Sequence, residues 1–318
     1  MNETTLLVGQ RIITLFLVLF AGIYARKINI LDAASTKRLS ALLLNVTQPL
    51  MIITSFQMEF DAAKLRNGAG LFLTSAAVHI ITAALAVLFF MPVKDFEQRK
   101  VYRMCAVFAN IGFLGFPVLS VVFEDGIFYG AFYTMFFNIF VWTYGVYLIS
   151  KKKPADGEPH NSKLQFPLKK ILLNAGMLSS VAGIILFALR ISIPPVLLDS
   201  MRLVGDMTFP LAMIIIGSFV CEINLREVFT NRSNYYFMLV KLFALPVIFL
   251  AAGMLLGLPR LFIYMAALMS AMPSAAMAAM FAETYGSDAK SATANIGLST
   301  LFSIVTIPLI IWLIEWAI

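Results

Sequence analysis

The chain has 318 residues, of which 60% are apolar and only 13% charged. A soluble protein of this length keeps roughly 25% of its residues charged, so the composition excludes an ordinary water-facing surface and makes the bilayer the main solvent. The formal net charge of +7 does not point to nucleic acid, because the basic residues lie between apolar stretches and form no patch with interleaved aromatics.

About 20 apolar residues cross a bilayer as a helix. That window predicts ten spans, near residues 8–25, 38–58, 68–91, 101–122, 126–149, 171–190, 197–220, 234–257, 260–282 and 289–316. The first lacks a basic leader, and Arg26 and Lys27 follow it in place of a small-residue cleavage site. It therefore reads as a membrane helix and not as a cleaved signal peptide.

The second span carries Asn45-Val-Thr47-Gln-Pro49-Leu50, and the seventh carries Asp206-Met-Thr208-Phe-Pro210-Leu211. The shared pattern, an Asn or Asp followed by Thr and then Pro-Leu, recurs at an offset of 161 residues in equivalent spans. Between the fifth and sixth spans lies one substantial polar segment, with Lys151, Lys152, Lys153, Pro154, Gly157 and Pro159. The expected organisation is a first five-helix repeat over 1–149, a cytoplasmic linker over 150–170 and a second five-helix repeat over 171–318. An odd number of helices per half makes the second repeat enter the membrane from the opposite side.

The fourth span contains Asn110, Gly112, Gly115 and Pro117 within eight residues. Proline removes a backbone donor and glycine weakens a helix further. In hydrocarbon such breaks persist only inside protein or beside a water-filled cavity. A break here exposes N–H groups at the start of the following half-helix, which suit an anionic group, and the Asn110 amide can both donate and accept. The bland alternative is a kinked, closely packed helix with no ligand. The ninth span supplies a second break, at Met272, Pro273, Ser274 and Ala275. Two interrupted spans in corresponding halves are the sequence pointer to a secondary-transporter site.

The fifth span is rich in aromatics, including Phe132, Tyr133, Phe136, Phe137, Phe140, Trp142 and Tyr144, which read as a packing or lipid-facing surface. Its polar exception, Asn138, is a candidate for the substrate site. Asp206 in the seventh span and Lys241 in the eighth are expensive in hydrocarbon. They read either as a structural ion pair or as a coupling relay, with Asn45 as a further polar candidate beside them. The cysteines, Cys105 and Cys221, read as small apolar residues, and His79 as a packed one. No metal set, catalytic residue or cofactor motif emerges, and no nucleotide-binding loop is present, so the energy must come from a gradient or from the membrane potential.

Orientation follows from the basic residues. With the N-terminus outside, 17 of the 24 Lys and Arg fall in cytoplasmic loops and six on the other side, which places both termini outward in a plasma (inner) membrane.

The sequence resembles a bacterial member of the auxin efflux carrier family. Asn110, Gly115 and Pro117 followed by Val-Leu match the family's fourth-helix crossover motif, and Ala271-Met-Pro273 with Phe281-Ala-Glu283-x-Tyr285-Gly resembles its ninth-helix motif and exit. The resemblance covers 8–316. It implies an all-α membrane protein of ten helices in two inverted repeats with broken, crossing helices 4 and 9, like sodium/proton antiporters and bile-acid symporters. Helices 1, 2, 6 and 7 would form a scaffold, through which a homodimer would assemble, and helices 3–5 and 8–10 a moving transport domain. Asn110 would contact a substrate carboxylate beside Pro117 and Pro273. The implied function is secondary transport of a small mono- or dicarboxylate by elevator-type motion. The alternatives are a sodium-coupled symporter of the bile-acid type, a channel and, from a different class, an intramembrane enzyme.

Overall fold

The computed structural model describes residues 3–151, 168–221 and 232–318. Among these residues the chain is all helical, with one isolated bridge between Ala109 and Ser274 in place of any strand. Five continuous helices are long and apolar enough to cross a membrane: Ala62–Phe89, Gly126–Ser150, Pro195–Val220, Arg232–Leu255 and Ala289–Ala317. Shorter apolar helices cover Ile111–Val122, Ala175–Ala188 and Arg260–Ala271. The greater part of the proposed 150–170 linker lies outside the described residues.

Helix starts are set by short polar side chains that a hydropathy window does not see. Asp95 accepts from the Gln98 amide at 2.7 Å and starts its helix at Phe96, five residues ahead of the predicted fourth span. Asp288 caps Ala289–Ala317 through the Ser291 amide at 2.9 Å, and Asn174 caps Ala175–Ala188 through Gly176 and Met177. Asp32 accepts from the Ser35 amide, which holds its carboxyl below the ordinary value. Each side chain satisfies donors that a first helical turn leaves orphaned.

Prolines explain three local widenings of the helices. The turns Leu43–Thr47, Ile111–Gly115 and Val240–Ala244 have the wider i→i+5 hydrogen-bond pattern, and each ends two residues before a proline: Pro49, Pro117 and Pro246. A proline ring clashes with the carbonyl four residues back and offers it no donor. Widening the preceding turn accommodates the ring without ending the helix. A fourth such turn, Val141–Gly145, has no proline behind it.

The chain divides into two compact units. The first comprises Met1–Ser75, Ile111–Asn138 and Leu172–Glu222. Within it, the helix Glu3–Lys27 meets Thr208–Val220 at backbone distance. A Cβ on Gly22 would come within 2.1 Å of the Ile214 carbonyl oxygen, and one on Gly217 within 2.1 Å of that of Leu19. Small residues permit such close approach in membrane helices, where packing replaces the hydrophobic drive. Phe56 anchors a second cluster with Phe128, Phe132 and Phe187, and Gly183 makes room for its ring. The fifth-span aromatics Phe132, Tyr133 and Phe137 are thus buried packing residues.

The second unit comprises Ala76–Asn110, Ile139–Ile171 and Ile223–Ile318. Its rings stack around Phe90, Tyr102 and Phe237. His79 is buried between Phe108 and Phe140, as a packed residue. At one end, the Glu97 carboxylate accepts the Ser287 hydroxyl at 2.6 Å and the Lys100 ammonium at 2.8 Å. Lys100 also donates to the Ile149 and Lys151 carbonyls, so one buried cation closes the end of the fifth-span helix. Cys105 is buried, but Cys221 is exposed, because it follows the last turn of its helix instead of lying within it.

Candidate functional site

Two helices of the second unit stop at the same place. Phe96–Val107 ends where Phe108 turns extended (φ −100, ψ 102). Arg260–Ala271 ends at Met272 (φ −61, ψ 144), the conformation forced on a residue that precedes proline. The two breaks then run antiparallel and hydrogen-bond each other. The Asn110 amide donates to the Pro273 carbonyl at 2.7 Å, and the Ala275 amide donates to the Phe108 carbonyl at 2.9 Å. Ser274 adds two clamps: its hydroxyl donates to the Cys105 carbonyl and its amide to the Ser299 hydroxyl, both at 3.0 Å. Unpaired, each of these groups would cost several kcal/mol in a dry environment. Each break stabilises the other.

Free carbonyls remain at the two helix ends, and Lys241 meets them. Its ammonium, on a side chain only 1% exposed, donates to Ala106 O at 3.1 Å and Ser270 O at 3.2 Å. Those residues close the two half-helices, where each macrodipole places roughly half a negative charge. The side chain reaches them from the widened turn Val240–Ala244. Lys241 spends its hydrogens on main-chain oxygens, whereas Asp206 is exposed at the C-cap of Pro195–Gly205. Asn45 is likewise exposed, with its amide turned back to the Ala41 carbonyl.

Of the residues singled out in the sequence, Asn110, Met272, Pro273, Ser274 and Ala275 come together at this crossing, all buried. Gly112, Gly115 and Pro117 follow in the first unit, where the chain resumes as Ile111–Gly115 and Phe116–Val122. Pro117 does not make the break. It lies inside Ile111–Val122, whose preceding turn widens to take the ring, and the interruption lies upstream at Phe108–Asn110. Gly112 faces the Gln48 amide, 3.5 Å from where a Cβ would stand. Asn138, 9% exposed, lies beside Gly176 at the start of Ala175–Ala188.

Further buried polar residues lie outside those singled out one by one in the sequence. Gln48 is buried next to Pro49, inside the repeated motif that pointed to its neighbours. Ser299 belongs to a buried polar face of the tenth-span helix that also includes Asn295, Ser303 and Thr306. Spacing by three and four residues among apolar ones was the available signal for that face.

A buried cation, main-chain donors and acceptors, and small side chains suit reversible binding and repacking. With helices apolar enough for a membrane, they fit a multi-pass membrane protein with a broken-helix crossing. The chain belongs to the family described as Membrane transport protein, whose model matches residues 7–311. This bears out the resemblance to the auxin efflux carriers. It is also similar to proteins named Uncharacterized transporter YfdV. The relative from Escherichia coli (strain K12) is 23% identical over 320 residues, covering 97% of this chain and 98% of its own. Relatives of the same name from Escherichia coli O157:H7 and Shigella flexneri match to the same extent.

Proposed function

We propose that this transporter is a secondary carrier of a small organic anion, a mono- or dicarboxylate, bound at the crossing with Asn110 as a contact. The reading rests chiefly on the charge balance around Lys241. Two helix C-termini contribute roughly half a negative charge each, and one ammonium offsets both. In the same unit the half-helix that follows the ninth-span break, Met277–Thr284, starts with the positive end of its own macrodipole. What is left for a ligand is positive, which favours an anion.

The same balance argues against the alternative of a sodium-coupled symporter of the bile-acid type, since an internal ammonium already occupies the place of a cation. The two-repeat organisation, with a scaffold of spans 1, 2, 6 and 7, draws support from the paired motifs. Thr47 and Thr208 are both buried, while Asn45 and Asp206 are both exposed. Elevator-type motion, assembly as a homodimer through the scaffold and residence in the plasma membrane belong to the same proposal.

The test is a thermal-shift screen of purified protein with malate, malonate, pyruvate, lactate and indole-3-acetate. A ligand at a hundred times its Kd stabilises by about 2.7 kcal/mol. At least one carboxylate should raise the melting temperature, and Asn110→Ala should weaken that ligand by roughly ten- to a hundredfold, the worth of one hydrogen bond to a charged group. Uptake into vesicles should saturate and proceed without sodium. Flux that never saturates would indicate a channel, and strict sodium dependence would favour the symporter.

A further inference from the structure

Where the third-span helix ends and Phe96–Val107 begins, the second unit carries more positive charge than its own groups use. Arg99 and Arg103 stand one turn apart on the same helix face, close enough for their like charges to repel. Arg99 donates through Nη1 to the Val93 carbonyl at 3.1 Å, and Arg103 through Nη2 to the Val87 carbonyl at 3.3 Å. Each guanidinium thus holds one carbonyl at the exit of Ala62–Phe89 and keeps its other donors unspent.

The carboxylates of the same helix start are engaged elsewhere. Asp95 accepts the Gln98 amide, and Glu97 takes the Lys100 ammonium and the Ser287 hydroxyl. Among the described residues neither arginine has an ion-pair partner. Lys94, exposed beside Val93, adds a third positive charge. Against these three, the C-terminus of Ala62–Phe89 offsets roughly half a charge.

The surface between the two anchoring carbonyls is apolar. Val87 and Val93 bracket Leu88 and Met91, which are 63% and 62% exposed. A soluble anion would answer the arginines and leave that surface bare, whereas a phospholipid covers both. The planar guanidinium fork matches phosphate oxygens, and the surplus charge favours a headgroup that is negative overall. On the topology that the basic residues predict, this end faces the cytoplasm, where basic pockets between membrane helices bind anionic headgroups. We propose that Arg99, Arg103 and Lys94 bind the phosphate of an anionic phospholipid whose acyl chains lie against Leu88 and Met91.

Native mass spectrometry of the full chain in detergent separates lipid-bound from lipid-free protein and tests this. Dioleoyl phosphatidylglycerol should bind about tenfold more tightly than dioleoyl phosphatidylcholine, which has the same chains and no net charge. Arg99→Gln with Arg103→Gln should remove that preference, a loss of roughly tenfold or more for two charge-assisted contacts. Lys37→Gln with Arg38→Gln deletes two exposed charges from another predicted cytoplasmic segment and should leave the preference intact. If the glutamine pair at 99 and 103 does not fold, Arg99→Lys with Arg103→Lys keeps the charge, loses the fork and should weaken phosphatidylglycerol several-fold. Equal binding of the two lipids by the wild type overturns the proposal without any variant. Equal losses in the two glutamine pairs, or wild-type affinity in the folded Arg99 and Arg103 variant, overturn it as well. Displacement of phosphatidylglycerol by inorganic phosphate would make the site one for a free anion and overturn the lipid assignment.

Discussion

At the scale of single residues, Lys241 is the side chain on which most depends. Among the described residues its hydrogen bonds go to backbone oxygens, which no side-chain substitution can replace. Lys241→Met keeps the length of the side chain and removes the ammonium. It leaves the Ala106 and Ser270 carbonyls without their donor, and an unmet buried acceptor costs about 1–3 kcal/mol. We expect a clear drop in melting temperature together with loss of saturable uptake. A variant that melts and transports like the wild type would remove the ammonium from the mechanism. The sequence made Lys241 conspicuous, because a lysine in an apolar span is expensive. It could not reveal the partner, because a carbonyl oxygen is carried by every residue and marked by none. Asn295 and Gln48 were missed for the opposite reason: both are buried, but a neutral amide in an apolar span raises no alarm.

Among the elements, the two broken spans were legible in outline and only partly in detail. Proline and glycine announced that both were interrupted, and Pro273 marks its break correctly. The fourth span was misread by several residues, because Pro117 distorts a turn without ending the helix. The real interruption at Phe108–Asn110 contains neither proline nor glycine. It is held open by hydrogen bonds to a segment more than 150 residues away in the chain, and such partners leave no local trace. Pro273→Ala tests this asymmetry. It removes the only local reason for the ninth-span break, and in a helix interior alanine is favoured over proline by about 3 kcal/mol. The melting temperature should hold or rise while uptake falls sharply. Pro117→Ala should do less, relaxing one widened turn. Equal uptake by wild type and the Pro273 variant would show that the break is a packing feature.

For the whole molecule, composition and hydropathy sufficed to place the chain in the bilayer, and the family match accords with that reading. Topology rests on the distribution of basic residues, 17 against six. A cysteine introduced at Asn2 should react with an impermeant thiol reagent added outside intact cells, and one at Asp156 should be protected. Labelling of both, or of neither, would mean an even number of crossings between them and would end the five-plus-five scheme. How the chain sorts into two compact units was not readable in the sequence. The third, fourth and fifth spans are each divided between the units, and a division made by packing across spans has no signature along any one of them.

The ammonium at the crossing also bears on how membrane voltage acts on the carrier. If the unit holding Lys241 is the one that moves, and the ammonium keeps its proton, one positive charge travels through the electric field on every empty stroke. One elementary charge moved across 100 mV corresponds to about 2.3 kcal/mol. An interior-negative potential should therefore draw the unloaded carrier toward its inward-facing state. A bound monocarboxylate would neutralise the moving unit and release it from the field, and a dicarboxylate would reverse the sign of its response. Recordings on carrier-loaded planar bilayers should thus find voltage acting on the empty return step for a monoanion, and on both strokes, in opposite directions, for a dianion. Turnover indifferent to voltage for every substrate would place Lys241 in a part of the protein that stays still.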